Sequence, residues 1–281
     1  MRRKTRRGKQ GGNLNSSDTL QATILDQAAT QVLKFLVPPG ASLITDQNTL
    51  AYMSGQLKTE ASTGTGLWNA LKRGITGESF LSNMVSNPSQ ETAELVLSPP
   101  LAGAIVELSI APGEVWRLYP GSFLAATPNI KVSGSLNMFD SFRVSFVMDT
   151  FVYTSVETLP NTGPGRVWIY GFGGIEQKTI TPTSTPYILN NGTFLAMPHK
   201  TAQGNLWDSY VSVGTPGSLM QAFLTNIGLV MKIQTKEGQT APSFPLYTQT
   251  MNIEHLKRFI GNIAEAKARS VRDERPVIQM N

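Results

Sequence analysis

His199 and His255 are the only imidazoles in the chain, 56 positions apart and without a His-x-His pair. A metal enzyme needs several His and carboxylate ligands converging from neighbouring strands, and both ligand number and spacing fall short here. His255 lies on a predicted C-terminal helix and His199 follows Met197-Pro198 in a predicted loop, so both read as surface histidines. Covalent catalysis fares no better. The chain has no cysteine, and no Gly-x-Ser-x-Gly elbow presents a serine to a base. Gly171-Phe172-Gly173-Gly174 and Gly163-Pro164-Gly165 lead into no helix and carry no following Lys-Ser/Thr, so they read as turns rather than phosphate loops. Glu91 with Glu94, or Asp140 with Asp149, could pair as acid and base, but carboxylates in such segments are mostly solvated. No catalytic, cofactor or metal residue is assigned, and a non-enzymatic protein is expected.

The chemistry that is present sits at the start of the chain. Arg2, Arg3, Lys4, Arg6, Arg7 and Lys9 carry six positive charges, so the net charge of +5 leaves the remainder at −1. Such an arm can engage nucleic-acid phosphates by releasing counterions, or meet an anionic membrane surface. It has no interleaved aromatics, so any nucleic-acid binding should be nonspecific. A solvated tail or a nuclear-import address would look the same. A second candidate is the pair Leu67-Trp68 and Leu206-Trp207, with Leu71, Lys72 and Arg73 beside the first. These residues either close the open ends of a barrel or form an apolar contact patch for subunit or membrane-surface association. Trp116 and Trp168 lie inside β-prone runs and are expected in the core or on a sheet face.

Size and composition frame these options. A chain of 281 residues can bury roughly 75% of its unfolded surface as one domain. The absence of cysteine excludes a disulfide framework and fits a reducing compartment. No run approaches 18 apolar residues, so no transmembrane segment is expected. The N-terminus lacks the apolar stretch of a secretory signal, so an intracellular, non-secreted protein is expected.

Residues 1–19 cannot repay the entropy of ordering and read as a disordered basic arm. Residues 20–252 read as a β domain, and 253–281 as a C-terminal helix and tail, with Leu256, Phe259, Ile260 and Ile263 on one face. Within the domain, turn signals at Pro39-Gly40, Pro99-Pro100, Pro112-Gly113, 161–165 and 190–192 separate strand-like runs at 93–97, 104–110, 115–119, 142–147, 166–172 and 229–233. For 18–36 the residues allow either two short strands or one helix. A turn-and-strand unit recurs from Pro39-Gly40 to Leu50-Ala51-Tyr52, from Pro112-Gly113 to Phe123-Leu124-Ala125, and from Thr181-Pro182 to Phe194-Leu195-Ala196. Aligned on their Leu-Ala pairs, the copies lie 74 and 71 residues apart. One element used three times is expected.

Those motifs carry a resemblance. Ala51-Tyr52-Met53-Ser54-Gly55, Gly77-Glu78-Ser79-Phe80-Leu81, Leu97-Ser98-Pro99-Pro100-Leu101-Ala102-Gly103, Gly121-Ser122-Phe123-Leu124-Ala125-Ala126, Tyr170-Gly171-Phe172-Gly173-Gly174-Ile175-Glu176 and 190–196 occur in family order. The chain resembles the altered-inheritance-of-mitochondria biogenesis family over about residues 30–235. The resemblance implies an all-β, tryptophan-RNA-binding-attenuator-like (TRAP-like) double-stranded β-helix or barrel of three related units, oligomeric, and linked to mitochondrial organisation. The reading is therefore a self-associating β-scaffold whose arm meets anionic partners. Two alternatives stay open. One is a viral structural or virus-encoded protein, in a virion or nucleus, and the other a small-ligand-binding β-barrel.

Overall fold

The computed structural model describes residues 20–27, 30–61, 82–136, 152–159, 161–183, 185–202, 204–206, 210–214, 230–234 and 242–251. The basic arm, Trp68, Leu71, Lys72, Arg73, Trp207, His255, the 142–147 run and the C-terminal helix all lie outside them. What is described is nearly all β-structure, with a 3-10 turn at Asn191–Thr193 and helical residues at Leu206 and Tyr210.

Proline and glycine set the folding points. In the turns Pro38 to Ala41 and Ala111 to Glu114 the fourth amide donates to the first carbonyl, at 3.1 and 3.0 Å. Gly40 and Gly113 take φ of +74° and +79°, a region where a Cβ would be strained. Between such turns each third of the chain lays down strands in one order. An opening strand β1 (Gln21–Gln27) precedes β2 (Thr30–Val37), β3 (Ser42–Asp46), β4 (Leu50–Met53), β5 (Lys58–Ala61), β6 (Ser82–Ser86) and β7 (Ala93–Leu97). The second third has β8 (Gly103–Ile110), β9 (Val115–Leu118), β10 (Phe123–Ala126), β11 (Ile130–Leu136), β12 (Val152–Thr158) and β13 (Gly165–Phe172). The last has β14 (Ile175–Ile180), β15 (Tyr187–Asn190), β16 (Phe194–Thr201), a short β17 (Gly204–Asn205), β18 (Val211–Gly214), β19 (Val230–Ile233) and β20 (Phe244–Gln249).

The pairing repeats as faithfully as the order. With the short β17 left out of the count, in every third the first strand pairs with the last and the last with the third, while the fifth joins the second to the fourth, all antiparallel. Two further pairings weld the thirds together, β3 with β10 and β9 with β16. The sheets are therefore β1-β2-β7-β4, β5-β6-β3-β10-β13-β8, β11-β12-β9-β16-β20-β14 and β15-β19-β18, with β17 on β16.

The repeat is one residue out of step with the Leu-Ala alignment in its first copy. A β-bulge interrupts β4 between Leu50 and Tyr52, β10 between Phe123 and Ala125, and β16 between Phe194 and Ala196. Just before each strand a hydroxyl caps the carbonyl three residues back: Thr49 to Asp46, Ser122 to Tyr119 and Thr193 to Asn190, at 3.1, 2.8 and 2.8 Å. Leu50 is thus the counterpart of Phe123 and Phe194, with offsets of 73 and 71 residues rather than 74 and 71. Similarity of side chains hides this, because Leu-Ala in the first copy overlays Phe-Leu in the second.

Two apolar clusters fill the interior, and β13 belongs to both. Val167 and Ile169 enter the larger cluster with Leu108, Phe123, Val156, Phe194 and Leu246, while Trp168 and Tyr170 enter the smaller with Phe35, Leu95 and Leu97. A strand buried on both faces needs a continuous apolar run, which Val167-Trp168-Ile169-Tyr170 supplies. Trp168 is 0% exposed and meets Phe35 edge to face at 4.8 Å. The fold class is as the sequence predicts, and β1 with β2 resolve the 18–36 ambiguity as a hairpin. His199 departs from its expected loop: it lies on β16, half-buried, because Pro198 is accommodated within that strand at an irregularity in its pairing with β9.

Candidate functional site

Two strand edges stand apart from the rest of this repeat. The junctions β3·β10 and β9·β16 are buried where they begin: Ala125 with Thr45 and Ala126 with Ile44 in one, Ala196 with Leu118 and Met197 with Arg117 in the other, all at 7% exposure or less, and the second reaches the surface only at its far end, where Lys200 lies opposite Val115. By the bulge and cap positions, Tyr52 is the counterpart of Ala125 and Ala196, and Ile188 of Ile44 and Arg117. Tyr52 is 56% exposed, Leu50 50% and Ile188 67%. Among the described strands β4 pairs only with β7, and β15 only with β19. The two edges that would make a third junction are open, so the described thirds do not close on themselves as one sealed body.

The sheet face beside β4 carries a polar cluster. Lys34 on β2 forms an ion pair with Glu94 on β7, and Tyr52 donates its hydroxyl to the same carboxylate. The Lys34 ammonium, then the Tyr52 hydroxyl, holds Glu94 below the usual carboxylate range, and Glu94 raises Lys34 and Tyr52 in turn. The next third places an ion pair of opposite polarity at the equivalent positions, Arg166 with Glu107 at 3.8 Å. There the carboxylate also accepts from Trp168 Nε1 at 2.9 Å, the guanidinium lies 5.0 Å over the indole, and Arg166 reaches the Leu20 carbonyl at 2.7 Å. The pair in the second third holds the residue just before β1, and the pair in the first third is joined instead by Tyr52 of the open edge.

Asp46 ends β3 where Asn190 ends β15. Burial raises its pKa despite amide donation from Asn48 and Gln47. A folded-state pKa above the unfolded one means that the charged form costs stability at neutral pH and that the cost vanishes once pH falls below the unfolded value. Asp46→Asn should therefore raise the thermal midpoint at pH 7, and the gain should shrink to nothing by about pH 3 in a series of melts. A constant difference across that range would refute the assignment.

Of the other sequence candidates, Trp116 and Trp168 are buried at 5% and 0%, as core residues should be. Glu91 offers its backbone carbonyl to the Asn87 side chain at 2.7 Å, and Glu94 belongs to the cluster above. No group of three His, Cys, Asp or Glu able to hold a metal occurs among the described residues. No helix among them is long and apolar enough to cross a membrane. The open edges escaped the sequence reading because Leu50-Ala51-Tyr52-Met53 has the same apolar character as its buried counterparts. The available signal was Tyr52, too large for a place that holds alanine in the other two copies.

A family model described as Mitochondrial biogenesis AIM24 matches residues 22–237. The crystal structure of a Streptococcus pyogenes protein superposes with a TM-score of 0.62 at 18% identity, covering 87% of this chain and 100% of that one. At that identity the likeness is one of fold alone. No curated protein matches the chain.

Proposed function

The chain belongs to the mitochondrial biogenesis AIM24 family, and on that footing we propose that it is a non-enzymatic, oligomeric β-scaffold whose cationic arm meets anionic partners. One observation carries the scaffold part: the two joints inside the chain are antiparallel strand pairings, and two strand edges of the same kinds are left bearing exposed Leu50, Tyr52 and Ile188. Unpaired apolar edges are templates for association. Nothing in this role needs a reacting group. Solution mass across a dilution series tests it, and a monomer at every concentration would remove the reading.

The arm supplies the second half of the role through Arg2, Arg3, Lys4, Arg6, Arg7 and Lys9. With all six charges on phosphates of duplex DNA, log affinity against log salt should fall with a slope of about −5. Deleting residues 1–12 should abolish that salt-sensitive binding and leave the thermal midpoint unchanged, because Met1 is the one apolar side chain in that stretch besides its glycines. Undiminished binding by the shortened chain would assign the contact elsewhere.

A further inference from the structure

We propose that β15 of one copy pairs antiparallel with β4 of a second copy, forming between chains the junction that each chain already forms twice within itself. The inference rests on the self-association reading and specifies its surface and register. In both internal junctions the second strand of one third pairs with the third strand of the next, as β3 with β10 and β9 with β16. Among the described strands no further third follows the last or precedes the first, which leaves β15 and β4 as the unmatched pair of the same two kinds.

Register follows from the equivalences. Thr45 faces Ala125 and Leu118 faces Ala196, so Leu189 should face Tyr52; Ile44 faces Ala126 and Arg117 faces Met197, so Ile188 should face Met53. Faces agree with that register. Leu189 packs against the larger cluster and Met53 against the smaller, so pairing would bring Ile188 beside Met53 over the core of the first third. Neither edge is defended. Leu50-Ala51-Tyr52-Met53 and Tyr187-Ile188-Leu189-Asn190 contain no charge and no proline, the usual devices that keep a free edge from pairing. A contact between two different patches is head-to-tail, so it propagates to a ring or a filament according to the rotation per step.

Because the chain has no cysteine, introduced thiols report the contact without background. Full-length Met53→Cys and Ile188→Cys proteins, mixed under mild oxidation, should give a disulfide-linked dimer containing one of each, since residues directly opposite place their Cβ atoms within bonding range. Leu50→Cys mixed with Ile188→Cys, out of register, should link far less. Ile188→Lys, at an exposed position that leaves the fold intact, should lower the solution mass of the assembly. If both cysteines in one chain give a monomer with an internal disulfide at high dilution and at working concentration alike, the junction closes within the chain and the proposal is overturned. If the wild type assembles but neither cross-links in this register nor responds to Ile188→Lys, this surface is wrong while self-association stands. A wild type that is monomeric throughout removes both.

Discussion

Trp168→Ala is expected to lower the unfolding free energy by about 3–5 kcal/mol, the range for deleting a large aromatic from a core that cannot collapse around the void. Trp168 is a residue of β13, in the second third, yet its ring lies in the cluster of the first third, edge to face with Phe35 at 4.8 Å. The substitution removes more than volume. It leaves Glu107 without the indole donor at 2.9 Å and takes away the aromatic face under Arg166, whose guanidinium also holds the Leu20 carbonyl. Loss should therefore spread to the β1–β2 hairpin. The check is urea unfolding of wild type, Trp168→Phe and Trp168→Ala, with amide exchange in residues 20–37. Phenylalanine should recover part of the packing and none of the indole hydrogen bond. A loss below about 1 kcal/mol for alanine would mean that the first two thirds do not depend on this contact.

Gly103→Ala should rank close behind, at about 3 kcal/mol, near the upper end for forcing atoms into a filled site. A Cβ at Gly103 would lie 1.9 Å from the Gly171 carbonyl oxygen and 3.0 Å from its carbon. Both atoms are backbone, so no rotamer change relieves the clash. Here β8 begins against the end of β13: Ala104 donates to the Gly173 carbonyl at 2.8 Å and Gly173 to the Ala102 carbonyl at 3.1 Å. Separation of these strands is the cheapest escape, and it would loosen the pairing that joins β8 to β13 over its length. Gly55→Ala is the matched control. A Cβ there meets nothing within 4 Å, so its thermal and urea midpoints should stay within about 0.5 kcal/mol of wild type. Equal effects at the two glycines would refute the steric account.

Much of this fold was legible in local chemistry. The runs 93–97, 104–110 and 166–172 become β7, β8 and β13 within a residue, because β-branched and aromatic residues bounded by Pro and Gly have few other ways to satisfy backbone and side chain together. The threefold recurrence was visible for the same reason. Its register was not: a bulge adds a residue to one strand and exchanges faces beyond it, and three bulges at equivalent places leave no mark that Leu-Ala and Phe-Leu spacing can distinguish. Likewise Trp168 announced itself as a core residue, while the cluster it enters depends on which sheet lies against β13.

By itself the sequence determined the all-β class, the turns, the repeat and the six-charge arm, since each is a property of neighbouring residues and of charge that needs no partner in space. Tertiary structure alone decided that β10 and β16 are sealed while β4 is not, because burial of a strand edge depends on whether another strand lies beside it. Leu50, Phe123 and Phe194 are alike as residues; at 50%, 4% and 0% exposure they differ only in their neighbours.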